Sequence, residues 1–157
     1  MKFSTNEDIE APIDAVFDML CDFEMFERSA MRRGAEVQRT DKLSAPGVGM
    51  TWDAVFELRG KRRQVAIEMV SFDRPNEMVL ESRSQGLLGV MTIELVALSR
   101  NRTRIGVSFD IKPLNLSARL LVQSLKLAKT SLTKKFKVRM AEYAKGMEDR
   151  YLQKKAV

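Results

Sequence analysis

The side chains that could do chemistry are few. The 157 residues contain no histidine, one cysteine (Cys21) and two tyrosines, Tyr143 and Tyr151. Without histidine there is no Ser-His-Asp or Cys-His relay, and most zinc ligand sets are gone as well. Acid–base work would fall to carboxylates, lysines, the tyrosines or the thiol. Glu68, Glu81, Arg83 and Glu94 stand inside strand-like stretches. Their parity opposes that of the apolar neighbours, which makes them a solvated outer face. Ser82 keeps the apolar parity and could offer a hydrogen bond inward. Cys21, alone on an expected helix, reads as a small buried apolar group rather than a nucleophile. Gly47-Val48-Gly49 precedes a strand-like run. A phosphate cradle needs a helix N-terminus at that point, so a flexible hairpin loop is the better reading. No metal and no cofactor are expected.

The elements that would position these groups follow from the periodicity. Residues 2–9 form a first strand, with Phe3, Thr5, Glu7 and Ile9 on one side. Pro12 has no backbone donor and turns the chain into a short helix carrying Val16, Phe17 and Leu20. Asp22 is the expected N-cap of a second short helix with Phe23, Phe26 and Ala30, stopped at Gly34. From Ala35 the period becomes two. Short strands follow at Val37–Arg39, from Trp52 to Leu58, Arg63 to Phe72, Met78 to Arg83, Val90 to Leu98 and Thr103 to Lys112, joined by tight turns into an antiparallel meander. Leu87 and Leu88 fall between two glycines at an expected turn, either as a cavity lid or contact surface, or as a loop folded onto the core.

After Pro113 the helical period takes over. Leu121, Leu125, Ala128, Leu132, Phe136, Met140, Tyr143, Met147 and Tyr151 form one stripe, which predicts a single helix from Ser117 to about Leu152. At 1.5 Å per residue it would be on the order of 50 Å long, so it protrudes or bends, with Gly146 as one candidate bend.

Composition sets the broad class. Hydrophobic residues are 45% and charged residues 31%, as in a globular domain spanning 1–157. The residues after Met1-Lys2 are not an apolar run, and no stretch reaches the roughly 18 apolar residues of a membrane span. A cytoplasmic protein is expected. The net charge of +6 is uneven: from Leu114 onward there are 11 basic and 3 acidic residues. Lys126, Lys129, Lys134, Lys135 and Lys137 crowd the last helix, either as a solvated face or as a contact for anionic lipid or an acidic protein. Nucleic acid is not expected, since no reading element accompanies the charge.

The order strand, two small helices, meander, long helix resembles the START-like superfamily, and within it the bacterial polyketide cyclase/dehydrase and lipid-transport group. The stretches "IEAPIDAVFDMLCDFEMF", "PGVGMTW" and "SFDRPNEMVLES" and the final helix carry the resemblance. It implies an α+β helix-grip fold. A curved antiparallel sheet of about six or seven strands would wrap the C-terminal helix, with two short helices after the first strand. It also implies a hollow between sheet and helix for a lipid, isoprenoid or polyketide-like molecule. The expected lining is Phe23 and Phe26 from the second short helix, and Trp52, Phe56, Ile67, Met69, Met78, Leu80, Ser82, Met91, Ile93, Val107 and Phe109 from the sheet. Leu121, Leu125, Ala128 and Leu132 would complete it from the long helix. A cyclase/dehydrase-type enzyme and a membrane- or protein-docking module are the alternatives, and no catalytic residue carries over.

Overall fold

The computed structural model describes residues 1–156. Seven strands, β1 (Lys2–Ile9), β2 (Glu36–Arg39), β3 (Thr51–Leu58), β4 (Lys61–Asp73), β5 (Glu77–Ser84), β6 (Leu87–Ser99) and β7 (Arg102–Pro113), form one antiparallel sheet in the order β1-β7-β6-β5-β4-β3-β2. The meander therefore runs unbroken from β2 to β7. The first strand closes the far side against the last, with Lys2 opposite Asp110 and Ile9 opposite Thr103.

Helices α1 (Ile13–Leu20) and α2 (Phe23–Arg32) carry the chain from one edge of the sheet to the other. Pro12 is the N-cap of α1 in an extended conformation, which its ring favours. Asp22 caps α2 by accepting from the Met25 amide at 3.3 Å. Arg74, in the turn between β4 and β5, pins α1 to the sheet. Its guanidinium donates to Asp18 at 2.7 Å and lies over the Phe17 ring, 4.6 Å from the centroid. Ile9, Val16, Phe17, Met50, Met69, Met78, Leu95, Ala144 and Met147 are among the buried core residues beneath them.

Alternation along each strand sends one set of side chains inward. A bulge at Val70 resets the parity of β4, since Met69 pairs with Leu80 but Ser71 with Val79. Phe72 thereby joins Met69 on the inner face, where it meets Phe17 edge-on at 5.3 Å.

Two expectations need correction. The C-terminal stripe is not one helix: α3 (Leu116–Lys126) and α4 (Lys129–Ala156) are separate. The break has a hydrogen-bond cause. The Ser124 carbonyl, which would accept from the Ala128 amide in a continuous helix, accepts from Arg59 at 3.3 Å instead, and the Ser124 hydroxyl donates to the Leu121 carbonyl at 2.9 Å. The Ala128 amide turns to the Leu125 carbonyl. Gly146 lies inside α4. Leu87 and Leu88 are likewise not a turn. Gln85 and Gly86, both at positive φ, make the hairpin, and β6 begins at Leu87 opposite Ser84.

Candidate functional site

The inner face of the sheet is organised in cross-strand rows. Thr5, Val107, Ile93 and Met78 form one row, with Glu7, Ile105 and Leu95 beside it. Met91 and Leu80 pair in the next row, and Trp52 pairs with Ile67 further across the sheet. Opposite these rows, α4 contributes Arg139, Met140, Tyr143, Ala144 and Met147, and α2 contributes Phe23, Phe26, Glu27 and Ala30. The surfaces meet at their edges, as where Phe23 lies against Trp52, but stand apart between. A cavity of about 470 Å³ remains between them, within the range of roughly 300–1,000 Å³ usual for small-molecule sites.

Small side chains stand where the space is. Ala30, Ala35, Ala54 and Ala144 all line it. Trp52 forms part of the wall, its ring 5.5 Å from that of Phe23. The half-exposed Glu27, Ala30, Ala35 and Arg139 form the rim where α2 and the start of β2 face α4. A clasp spans that rim: the hydroxyls of Ser29 and Tyr143 are hydrogen-bonded at 2.8 Å, and Phe26 lies 5.5 Å from the Tyr143 ring.

Of the residues expected to line a hollow, Phe23, Phe26, Trp52, Ile67, Met78, Leu80, Met91, Ile93 and Val107 do so. The others do not, for identifiable reasons. Met69 is fully buried in the closed core beside Met50. Phe109 lies across Gly89, where an added Cβ would sit 2.9 Å from the ring, and Ser82, paired with Gly89, is on the same crowded spot. Phe56 is half-buried at the far end of β3. Leu125 is buried with Ala118 and Val122, as α3 packs on β7. Leu121 belongs to a different concavity, with Arg59, Lys61 and Arg63. Ala128 sits in the helix break and Leu132 in the first turns of α4.

The hollow thus lies under α4, not under the α3 half of the arm. The stripe residues Met140, Tyr143 and Met147 signalled this, and Thr5 and Glu7 share the inward parity of Phe3 and Ile9. Lys126, Lys129, Lys134, Lys135 and Lys137 are all exposed.

Few polar groups reach the lining: Thr5, Glu7, Glu27, Arg139 and Tyr143. Glu7 makes no ion pair among the described residues. Cys21 is outside the cavity. Burial pushes its thiol above the ordinary range despite Arg74 at 3.6 Å, which disfavours the reactive thiolate. Among the described residues no cluster of His, Cys, Asp or Glu could hold a metal, and no helix is long and apolar enough to cross a membrane.

Curved sheet, gap-bridging helix pair and gripped C-terminal helix together decide the architecture. The chain has the START-like, helix-grip fold. Solved START-like structures superpose over nearly its full length. The Zhui aromatase/cyclase from Streptomyces sp. R1128 matches with a TM-score of 0.65 at 11% identity, covering 97% of this chain and 95% of that one. Norcoclaurine synthase from Thalictrum flavum gives 0.65 at 13% identity, covering 97% and 86%. A START superfamily protein from Mycobacterium smegmatis gives 0.55 at 12% identity, covering 85% and 95%. No protein-family model and no curated protein matches the sequence. At such identities the START-like likeness concerns the fold alone, and activity must be argued from the cavity.

Proposed function

We propose that this protein binds a hydrophobic small molecule, of lipid, isoprenoid or polyketide-like character, in the cavity between sheet and α4. One observation carries the reading: a hollow of about 470 Å³, open at a rim and walled mainly by Leu, Ile, Val, Met and aromatic side chains. A packed core leaves no such space. Burying on the order of 300 Å² of ligand apolar surface offers about 7.5 kcal/mol before ordering costs. That sets a few micromolar as the tightest midpoint such burial supports, with ordering costs weakening it from there.

Trp52 is the sole tryptophan and part of the wall, so its emission reports directly on occupancy. Long-chain fatty acids and polycyclic compounds are expected to shift that emission saturably, with calorimetry giving the same midpoint. A broad apolar panel that leaves both signals flat defeats the reading.

A second reading is a cyclase/dehydrase-type enzyme, in which the cavity folds a flexible chain and proximity supplies the rate. Glu7 favours it: a carboxylate on the β1 wall without an ion pair among the described residues is placed to accept or deliver a proton. Glu7→Gln should then abolish conversion of a poly-β-ketone chain while the Trp52 titration is kept. Conversion unchanged in that variant removes Glu7 from the mechanism.

A further inference from the structure

Among the described residues, the outward side of α3 has no structural partner. Ala118, Val122 and Leu125 are the face of this helix that packs on the sheet. Leu116, Leu120 and Leu127, spaced four and seven apart, fall on the opposite face, and they are 71%, 59% and 92% exposed. Leu114, just before the helix, is 60% exposed. A surface helix normally sets polar residues on its outer side, so apolar residues on both faces leave one face without its medium.

The charge around this face is one-sided. From Ile111 to Ala141 there is no Asp or Glu, and Arg119, Lys126 and Lys129 are exposed within or beside the leucine face, while Lys112 is paired with Asp110 at 4.0 Å. The β3–β4 hairpin adds more. Arg59, Lys61 and Arg63 line a concavity against Ser117 and Leu121, with no carboxylate in its wall, and none of the three makes an ion pair among the described residues. The Nε of Arg63 is buried without a hydrogen-bond partner.

We propose that the outward face of α3, together with the β3–β4 hairpin, docks the protein onto anionic lipid bilayers. The four leucines enter the boundary between headgroups and acyl chains, and the surrounding cations meet the lipid phosphates. An acidic protein would satisfy the cations but not the exposed leucines on and beside this helix face. A second copy would bring the same cations together across the interface. A bilayer supplies both the apolar medium and the opposite charge.

Docking and ligand holding are physically separate. Arg139, the first residue of α4 on the cavity wall, is roughly 15 Å along that helix from Lys129 at its start, and the helix break separates it from Leu127.

The test is sedimentation of the full chain with vesicles of phosphatidylcholine containing phosphatidylglycerol, against pure phosphatidylcholine vesicles. Binding is expected to the first and to weaken with added salt. The triple variant Leu116→Ser, Leu120→Ser, Leu127→Ser removes only exposed side chains, and should lower the partition at least about tenfold. Lys126→Glu with Lys129→Glu should lower it by about fivefold or more for each residue. Ala144→Phe, which fills the cavity, should dock as the parent does, so failure of the ligand reading leaves this test intact. Three results overturn the proposal: no binding to either vesicle, binding to anionic vesicles that the leucine variant retains in full, or a concentration-dependent dimer that the leucine variant loses while the parent ignores vesicles.

Discussion

Filling the cavity tests its existence by the sign of a stability change. Ala144 is buried on α4 and lines the hollow, so Ala144→Phe directs a phenyl ring into it. Full burial of a phenylalanine side chain contributes about 1.5–3 kcal/mol. Ordering the side chain costs roughly 0.5–1 kcal/mol, and the helix prefers alanine by about 0.5 kcal/mol. The balance is a gain centred on about 1 kcal/mol, with extremes of about 0 and 2, which at about 2–4 °C per kcal/mol for a chain of this size raises the melting temperature by roughly 2–4 °C. A core already packed shut would respond oppositely, with an overpacking loss of about 1–3 kcal/mol. Differential scanning calorimetry on ligand-free protein reads the sign. In the same variant the Trp52 titration should weaken at least tenfold, because ring and ligand compete for one volume. A lower melting temperature with an unchanged titration would refute the reasoning.

Tyr143→Phe removes the hydrogen bond to Ser29 across the rim. It should cost about 0.5–1.5 kcal/mol of stability and speed ligand entry and exit together in stopped-flow measurements of Trp52 emission, leaving the midpoint nearly unchanged. Gly89→Val sets a Cβ within 2.9 Å of the Phe109 ring; it should destabilise by about 1–3 kcal/mol in urea unfolding, with Phe109→Leu recovering part of the loss. The Asp41 carboxylate accepts from the Arg39 guanidinium and from the Leu43 and Thr51 amides, which holds its pKa far below the ordinary carboxylate range. Its stabilisation is therefore complete above the unfolded carboxylate pKa near 3.9 and is lost as pH falls below it. Asp41→Asn should lower stability at neutral pH and flatten the acid limb of the unfolding curve.

Patterns that repeat locally were legible in the sequence, and effects that depend on distant partners were not. Period-two alternation located the inner rows, including Trp52, Ile67, Met91 and Ile93, because strand parity alone sets their direction. The helix break was hidden because its cause lies far away in sequence: Arg59, on a hairpin, takes the Ser124 carbonyl. Assigning Leu121, Leu125, Ala128 and Leu132 to the cavity failed for a volumetric reason. A stripe shows which residues face the sheet but not where the two surfaces stand apart, and the space falls beside Ala54 and Ala144, not beside Leu125. The β5–β6 turn was misplaced because Gln85, not a glycine, takes the first positive φ.

The pairing of β1 with β7 sets a timetable for synthesis. Phe3, Thr5, Glu7 and Ile9 leave the ribosome well before their partners Phe109, Val107, Ile105 and Thr103, which follow about a hundred residues later. At roughly 5–20 residues per second that is a delay on the order of 5–20 s, during which the first strand has no neighbour to hydrogen-bond. Helices α1 and α2 can form at once from local contacts, but the sheet they bridge does not yet exist. The wall carrying Thr5 and Glu7 is therefore installed only after β7 has been made, and the hollow closes later still, once the α4 residues Met140, Tyr143 and Met147 have followed.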